Sequence, residues 1–200
     1  MGISCTHRGA LAWGNNCRRT DSRDFDGVMP APILAFEQRI LRDYFQTNLS
    51  DWESHPRYHA YHLVNVLRGR TTLTLGAVWV EYARRPAPTL TTRDRPIVGG
   101  ERSVAAGPVT IGQWGPWIPL YGGPVRHYVD QRNYALINVT ERGHVLHPGY
   151  IMRWIERAGG SVLSHTVGRG VGRMARTNEN MGTEIFDDLD EDVASALPRR

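Results

Sequence analysis

The chain contains no lysine, and all 24 of its basic residues are arginine. No side-chain amine is therefore present to accept ubiquitin. That fits codon bias in a GC-rich genome, and it equally fits selection on an effector delivered into another cell. In either case every cation is a planar, permanently charged fork suited to carboxylate, phosphate and aromatic partners. Cysteine is scarce too. Cys5 and Cys17 have no CxxC spacing; after export they could close a short loop, and in a cytosol they are free thiols. No apolar run is long enough to cross a bilayer. Met1 to Gly27 lacks the apolar core of a signal peptide, so the expected location is the cytoplasm, or outside it by way of a specialised secretion machine. GxSxG, HExxH and Walker A motifs are all missing, which leaves a serine hydrolase, a zincin and a P-loop NTPase without their usual local signature. There is no internal repeat and no low-complexity tract.

The 200 residues are 40% apolar, enough to bury a core without disulfides or metals. Residues 1–183 carry 22 Arg and 14 acids, a net of +8, whereas residues 184–200 carry six acids and two Arg, a net of −4. A basic body attracts polyanions such as nucleic acid, and an acidic tail folded back on it blunts that attraction.

The expected domain organisation is an irregular lead-in over residues 1–30 followed by a single α+β domain over 31–200. Ile33, Phe36, Ile40 and Tyr44 repeat at helical spacing, predicting an amphipathic helix from about Pro32 to Leu49. A second helix is expected from Pro56 to Gly69, a strand from Thr71 to Tyr82, and a long loop over 84–108. Strands are then expected near Val109–Trp114, Val125–Val129, Tyr134–Val139, Tyr150–Arg157 and Ser161–Val167. Asp130 to Asn133 and Ala158-Gly159-Gly160 serve as turns. Residues 168–183 read as loop and Phe186–Leu197 as a short C-terminal helix with Asp187, Asp188 and Asp190 near its positive end. The fold class is thus α+β: N-terminal helices packed on a mainly antiparallel twisted sheet, closed by a short C-terminal helix.

Four groups of residues carry candidate chemistry. His144, His147 and His165, with Arg153, are expected to gather around one hairpin, where the histidines supply a general base and acid and Arg153 steadies an anion. Arg169, Arg173 and Arg176 lie on a Gly-rich stretch able to contact phosphate. His55, His59 and His62 have the spacing of a helix face and offer a metal site as a lesser alternative. Trp114 to Tyr121 can stack on a base or pack over the sheet end. Asn138-Val139-Thr140 matches a glycosylation acceptor but sits in an expected strand.

The stretch Asn138-Val139-Thr140, Gly143-His144, His147-Pro148-Gly149, Arg153, and Thr166-x-Gly168-x-Gly170 resembles C-terminal regions of bacterial proteins, some of them similar to polymorphic toxin effectors. The resemblance covers about a quarter of the chain, residues 138–170. One such group comprises metal-independent ribonucleases with helices ahead of an antiparallel sheet and a catalytic histidine. The resemblance implies a toxin-like hydrolase acting on a phosphodiester such as RNA, with no cofactor, and with an Arg in the electrophilic role a lysine usually fills. The rival expectation is a non-catalytic binding or structural subunit of a bacterial or phage assembly, with a protein partner.

Overall fold

In the computed structural model, the described residues are 2–6, 16–20, 29–68, 72–88, 93–110, 117–172 and 175–198, with backbone alone at 2–6, 16–20, 68, 106–110, 117–121 and 175–181. The chain runs β1 (Gly2–Thr6), β2 (Asn16–Thr20), α1 (Ala31–Ile40), α2 (Leu49–Glu53), β3 (His59–Arg68), α3 (Leu75–Ala83), β4 (Arg102–Thr110), β5 (Trp117–Asp130), β6 (Ala135–Thr140), β7 (Gly149–Ala158), β8 (Ser161–Gly170) and α4 (Ala175–Ala196). The strands form one sheet in the order β2-β1-β3-β8-β7-β6-β5-β4. All neighbours are antiparallel except β1 and β3. The α+β class is as expected: N-terminal helices, a mainly antiparallel sheet and a C-terminal helix.

The sheet is covered on both faces. Ala135, Ile137, Val139, Tyr150, Met152, Trp154 and Val167 pack with Ile33, Phe36, Ile40 and Trp52 of α1 and α2. On the other face Leu67, Leu136, Ile155 and Val162 meet α3 and Val193 of α4, and Tyr61 and Leu63 meet Phe186 and Leu189. This double cover explains where the local expectations differ from the structure. A strand buried on both faces loses its alternation and reads as a plain apolar run, which periodicity does not separate from a helix. So the segment expected as a helix from Pro56 is strand β3. The segment expected as a strand from Thr71 is helix α3, capped by the Thr74 hydroxyl, which accepts from the Ala77 N–H at 3.1 Å.

The expected single helix over 32–49 is divided. α1 widens into a π-turn over Leu41–Phe45 and ends at Gln46 in the left-handed conformation (φ 54°). Asn48 then caps α2 by accepting from Asp51 N–H at 2.9 Å. The end of the expected 84–108 loop is strand β4, and 168–183 is divided between β8 and the start of α4. The C-terminal helix therefore has 22 residues. Two short strands fall within the stretch read as an irregular lead-in, with Cys5 directly opposite Cys17 in register. The hairpin turn at Gly159-Gly160 is as expected, both residues taking positive φ.

Two fully buried arginines fix the helical layers to the sheet. On β7, Arg153 donates to Asp190 of α4 at 2.6 Å and to the Arg85 carbonyl at 2.8 Å, and it lies over the Tyr82 ring at 4.3 Å. On β8, Arg169 faces the opposite layer, with its Nε 3.2 Å from Glu37 of α1 and an N–H donated to the Tyr58 hydroxyl at 3.1 Å. Each charge is held by a carboxylate and further hydrogen bonds, the condition for burying an ion pair.

Candidate functional site

The β6–β7 connection, residues 141–148, forms a polar loop on the sheet end. Gly122 and Gly123 of β5 let it approach: a Cβ on Gly123 (φ 111°) would stand 2.5 Å from the His144 Cα. Val145 N–H donates to the Gly122 carbonyl at 2.9 Å, and His144 N–H to the Glu141 carbonyl at 3.0 Å. Both loop histidines are half-buried, and their hydrogen bonds fix opposite tautomers. His147 Nδ1 donates to the Thr140 carbonyl at 2.9 Å, leaving Nε2 as the basic nitrogen. His144 Nδ1 accepts from Leu146 N–H at 3.1 Å, leaving the proton on Nε2. Burial, with the neighbouring His147, lowers the His144 pKa to about 4, so it is neutral at pH 7. At the head of this loop Glu141 accepts from both Arg102 and Arg126 at 3.0 Å. Two cations on one carboxylate leave a net positive charge. Tyr44 from the helical layer adds its hydroxyl to the Thr140 carbonyl at 3.4 Å.

The other expected site residues are not here. His165 is opposite Trp154 in the β7–β8 register, five residues past Gly149, or roughly 17 Å along the strand at about 3.4 Å per residue. The expected gathering of His147, His165 and Arg153 is therefore not formed. His165 lies with its ring stacked on Trp154 (4.6 Å, 8°) and its Nδ1 3.3 Å from His62 Nε2. Its Nε2 meets Glu156 at 3.2 Å. Burial lowers the pKa of His165 to about 4 and, with His165 and Arg169 adding to it, that of His62 to about 3. Arg153 and Arg169, expected as phosphate contacts, are sealed inside their ion pairs with 0% side-chain exposure. The reason is that Gly168-Arg169-Gly170 is strand and not loop. Arg173 lies outside the described residues, and Arg176 falls within α4, where the backbone alone is described.

The metal alternative loses its geometry for the same kind of reason. His59 and His62 are three apart on a strand and so take opposite faces, while His55 precedes it and accepts from Arg57 N–H. Among the described residues no group of three or more His, Cys, Asp or Glu is placed to hold a metal ion. Trp114 to Pro116 lie outside the described residues. Asp190, expected on a solvated helix end, is the buried partner of Arg153.

One cluster was not legible in the sequence. His127 of β5 is fully buried, with Nδ1 2.7 Å from Asn138 Oδ1 and Nε2 2.7 Å from Ser103 Oγ. Asn138 Nδ2 donates to the Pro86 carbonyl at 2.6 Å, so its oxygen faces the ring. The three side chains come from three consecutive strands, and no local motif announces them.

No family model and no curated protein matches the chain. Among solved structures it is similar to protein Ms6760 from Mycobacterium smegmatis (12% identity, TM-score 0.44, 68% of this chain and 88% of that one). It is also similar to the protein encoded by gene BPP1335 from Bordetella parapertussis (15%, 0.42, 70% and 78%) and to Ara h 8.0201 (11%, 0.38, 69% and 99%). At TM-scores below 0.5 these likenesses carry no function to this chain. Among the described residues no helix is long and apolar enough to cross a membrane.

Proposed function

We propose that the protein is a basic, toxin-like hydrolase that cleaves a phosphodiester such as RNA by histidine acid–base chemistry, with its centre on the 141–148 loop. The observation that carries the reading is the pair of opposite tautomers. His147 presents a basic Nε2, and its Nδ1 is oriented by a backbone carbonyl. His144 presents an Nε2–H. In this reading His147 takes the proton of the attacking hydroxyl and returns it to the leaving oxygen. His144 donates to a non-bridging phosphoryl oxygen, and Arg102 and Arg126 attract the polyanion. They occupy the electrophilic and anion-holding roles expected of Arg153 and Arg169.

The test is cleavage of a fluorescent RNA oligonucleotide in the presence of EDTA. Wild type cleaves, His147→Ala loses about 10²-fold or more in rate, and Arg126→Gln weakens binding with a shallower salt dependence. A cleavage rate equal in wild type and His147→Ala refutes the reading. A stable protein partner with no turnover would instead support a binding subunit.

A further inference from the structure

We infer that Ser103, His127 and Asn138 form a second reaction centre, with Ser103 as nucleophile, His127 as its general base and Asn138 as the residue that positions the base, suited to transfer of an acyl group from a carboxylic ester to water. This goes beyond the phosphodiester reading and does not depend on it.

The geometry meets the requirements of an activated nucleophile in order. A nucleophilic hydroxyl must lie within about 2.6–3.2 Å of a basic nitrogen, and a third group must hold that base in one tautomer. Ser103 Oγ is 2.7 Å from His127 Nε2, and Asn138 Oδ1 is 2.7 Å from His127 Nδ1. An amide oxygen only accepts, so Nδ1 carries the proton and Nε2 is left to receive the one on Ser103. Asn138 cannot turn over, because its nitrogen is committed to the Pro86 carbonyl. Access is graded in the direction catalysis needs. Ser103 is half-exposed on β4, the terminal strand of the sheet order. His127 behind it is 0% exposed, and Asn138 is 3% exposed. In a purely structural ladder all three members are sealed, whereas here Ser103 is only partly buried.

Charge at the site is also suitable. Burial lowers the His127 pKa, and the nearby Arg93 lowers it further, against Asn138 and Glu101. The base is therefore neutral at pH 7. The Arg93 charge is shared with Glu101, to which it is paired, so the surroundings of the base are close to electrically balanced.

In the step, the Ser103 Oγ–H proton passes to His127 Nε2 as Oγ bonds to the carbonyl carbon. The carbon–alkoxide bond breaks, and the leaving alcohol takes the proton from Nε2. Water then attacks the acyl-serine, its proton passing through His127 back to Ser103 Oγ, and the free acid leaves.

The experiment uses the full chain and an alkyl fluorophosphonate, which replaces the serine hydrogen and expels fluoride, followed by peptide mapping and by p-nitrophenyl acetate turnover. The expected adduct is on Ser103 and is lost in Ser103→Ala. It forms about 10²-fold or more slowly in His127→Gln, and more slowly in Asn138→Leu, which leaves Ser103 and His127 in place but removes the acceptor that fixes the His127 tautomer. The labelling rate should hold a plateau at neutral pH and fall only below 6.5, the ordinary histidine value. Where His127→Gln fails to fold, Ser103→Cys substitutes for it: a thiol activated by His127 reacts with iodoacetamide well below the pH range of an ordinary cysteine. A wild-type protein that folds yet gives no adduct on Ser103, or a Ser103→Cys thiol with ordinary pH dependence, overturns the assignment and leaves the ladder as a structural hydrogen-bond chain.

Discussion

Replacing Arg153 by Met is expected to be one of the most damaging single substitutions in the protein, and the reason is the charge it abandons. Asp190 is 2% exposed and has one oxygen on Arg153 at 2.6 Å and the other on Asn65 Nδ2 at 2.9 Å. Burial pushes the Asp190 carboxyl up, against the pull of Arg153. Without the guanidinium the carboxylate keeps its desolvation cost and loses its counter-ion. The Arg85 carbonyl loses its donor as well. Breaking one side of a buried pair costs about 3–5 kcal/mol. For a chain of this length that lowers Tm by roughly 6–20 °C, at about 2–4 °C per kcal/mol. Urea denaturation at pH 7 measures it directly. The double variant Arg153→Met/Asp190→Leu should recover most of the loss, because it removes the stranded charge. Lowering the pH should also narrow the single variant's deficit as Asp190 takes up a proton. A single variant within about 1 kcal/mol of wild type, the scale of an exposed ion pair, would refute the account of the two layers being pinned by buried charge.

Three further outcomes follow from the packing. Glu37→Gln should destabilise the opposite layer, since Glu37 receives both the Arg169 pair at 3.2 Å and the Tyr150 hydroxyl at 2.5 Å; a thermal melt reads the loss. Stability should fall as pH drops below about 6.5, because the unfolded chain binds protons that His165, with a folded pKa of about 4, refuses. On His165 alone that is on the order of 3 kcal/mol by pH 4, and His165→Phe should flatten the profile of urea midpoints. Gly182→Ala, which in a helix interior ordinarily gains up to about 1 kcal/mol, should lose stability here because the new Cβ would stand 2.6 Å from Tyr61 Cζ; Tyr61→Leu should rescue it.

The sequence was most readable where one strand follows another through a short turn. The β7–β8 hairpin, its Gly159-Gly160 turn and the β5–β6 turn at Asp130–Asn133 all lie where glycine, asparagine and β-branched residues place them. It was least readable where tertiary cover overrides pattern. His59 to Leu67 is apolar at both parities because helices press on both faces, so it imitates a helix. The candidate site divides along the same line. His144 and His147 stay together because four residues of one loop span them. His165 and Arg153 part from them because strand register, set by pairing at a distance, decides which side chains meet. Arg153 and Arg169 read as ligand contacts since buried arginine is rare; only the helices carrying Asp190 and Glu37 reveal them as internal. Ser103, His127 and Asn138 share no local spacing, and only the register across β4, β5 and β6 brings them together.

The measurement that bears most directly on the proposed function compares RNA cleavage, with EDTA present, by wild type, His147→Ala and His165→Ala at pH 7. Cleavage by wild type, its loss in His147→Ala, and its retention in folded His165→Ala would place the chemistry on the 141–148 loop. Equal activity in all three, or loss in folded His165→Ala alone, would contradict it.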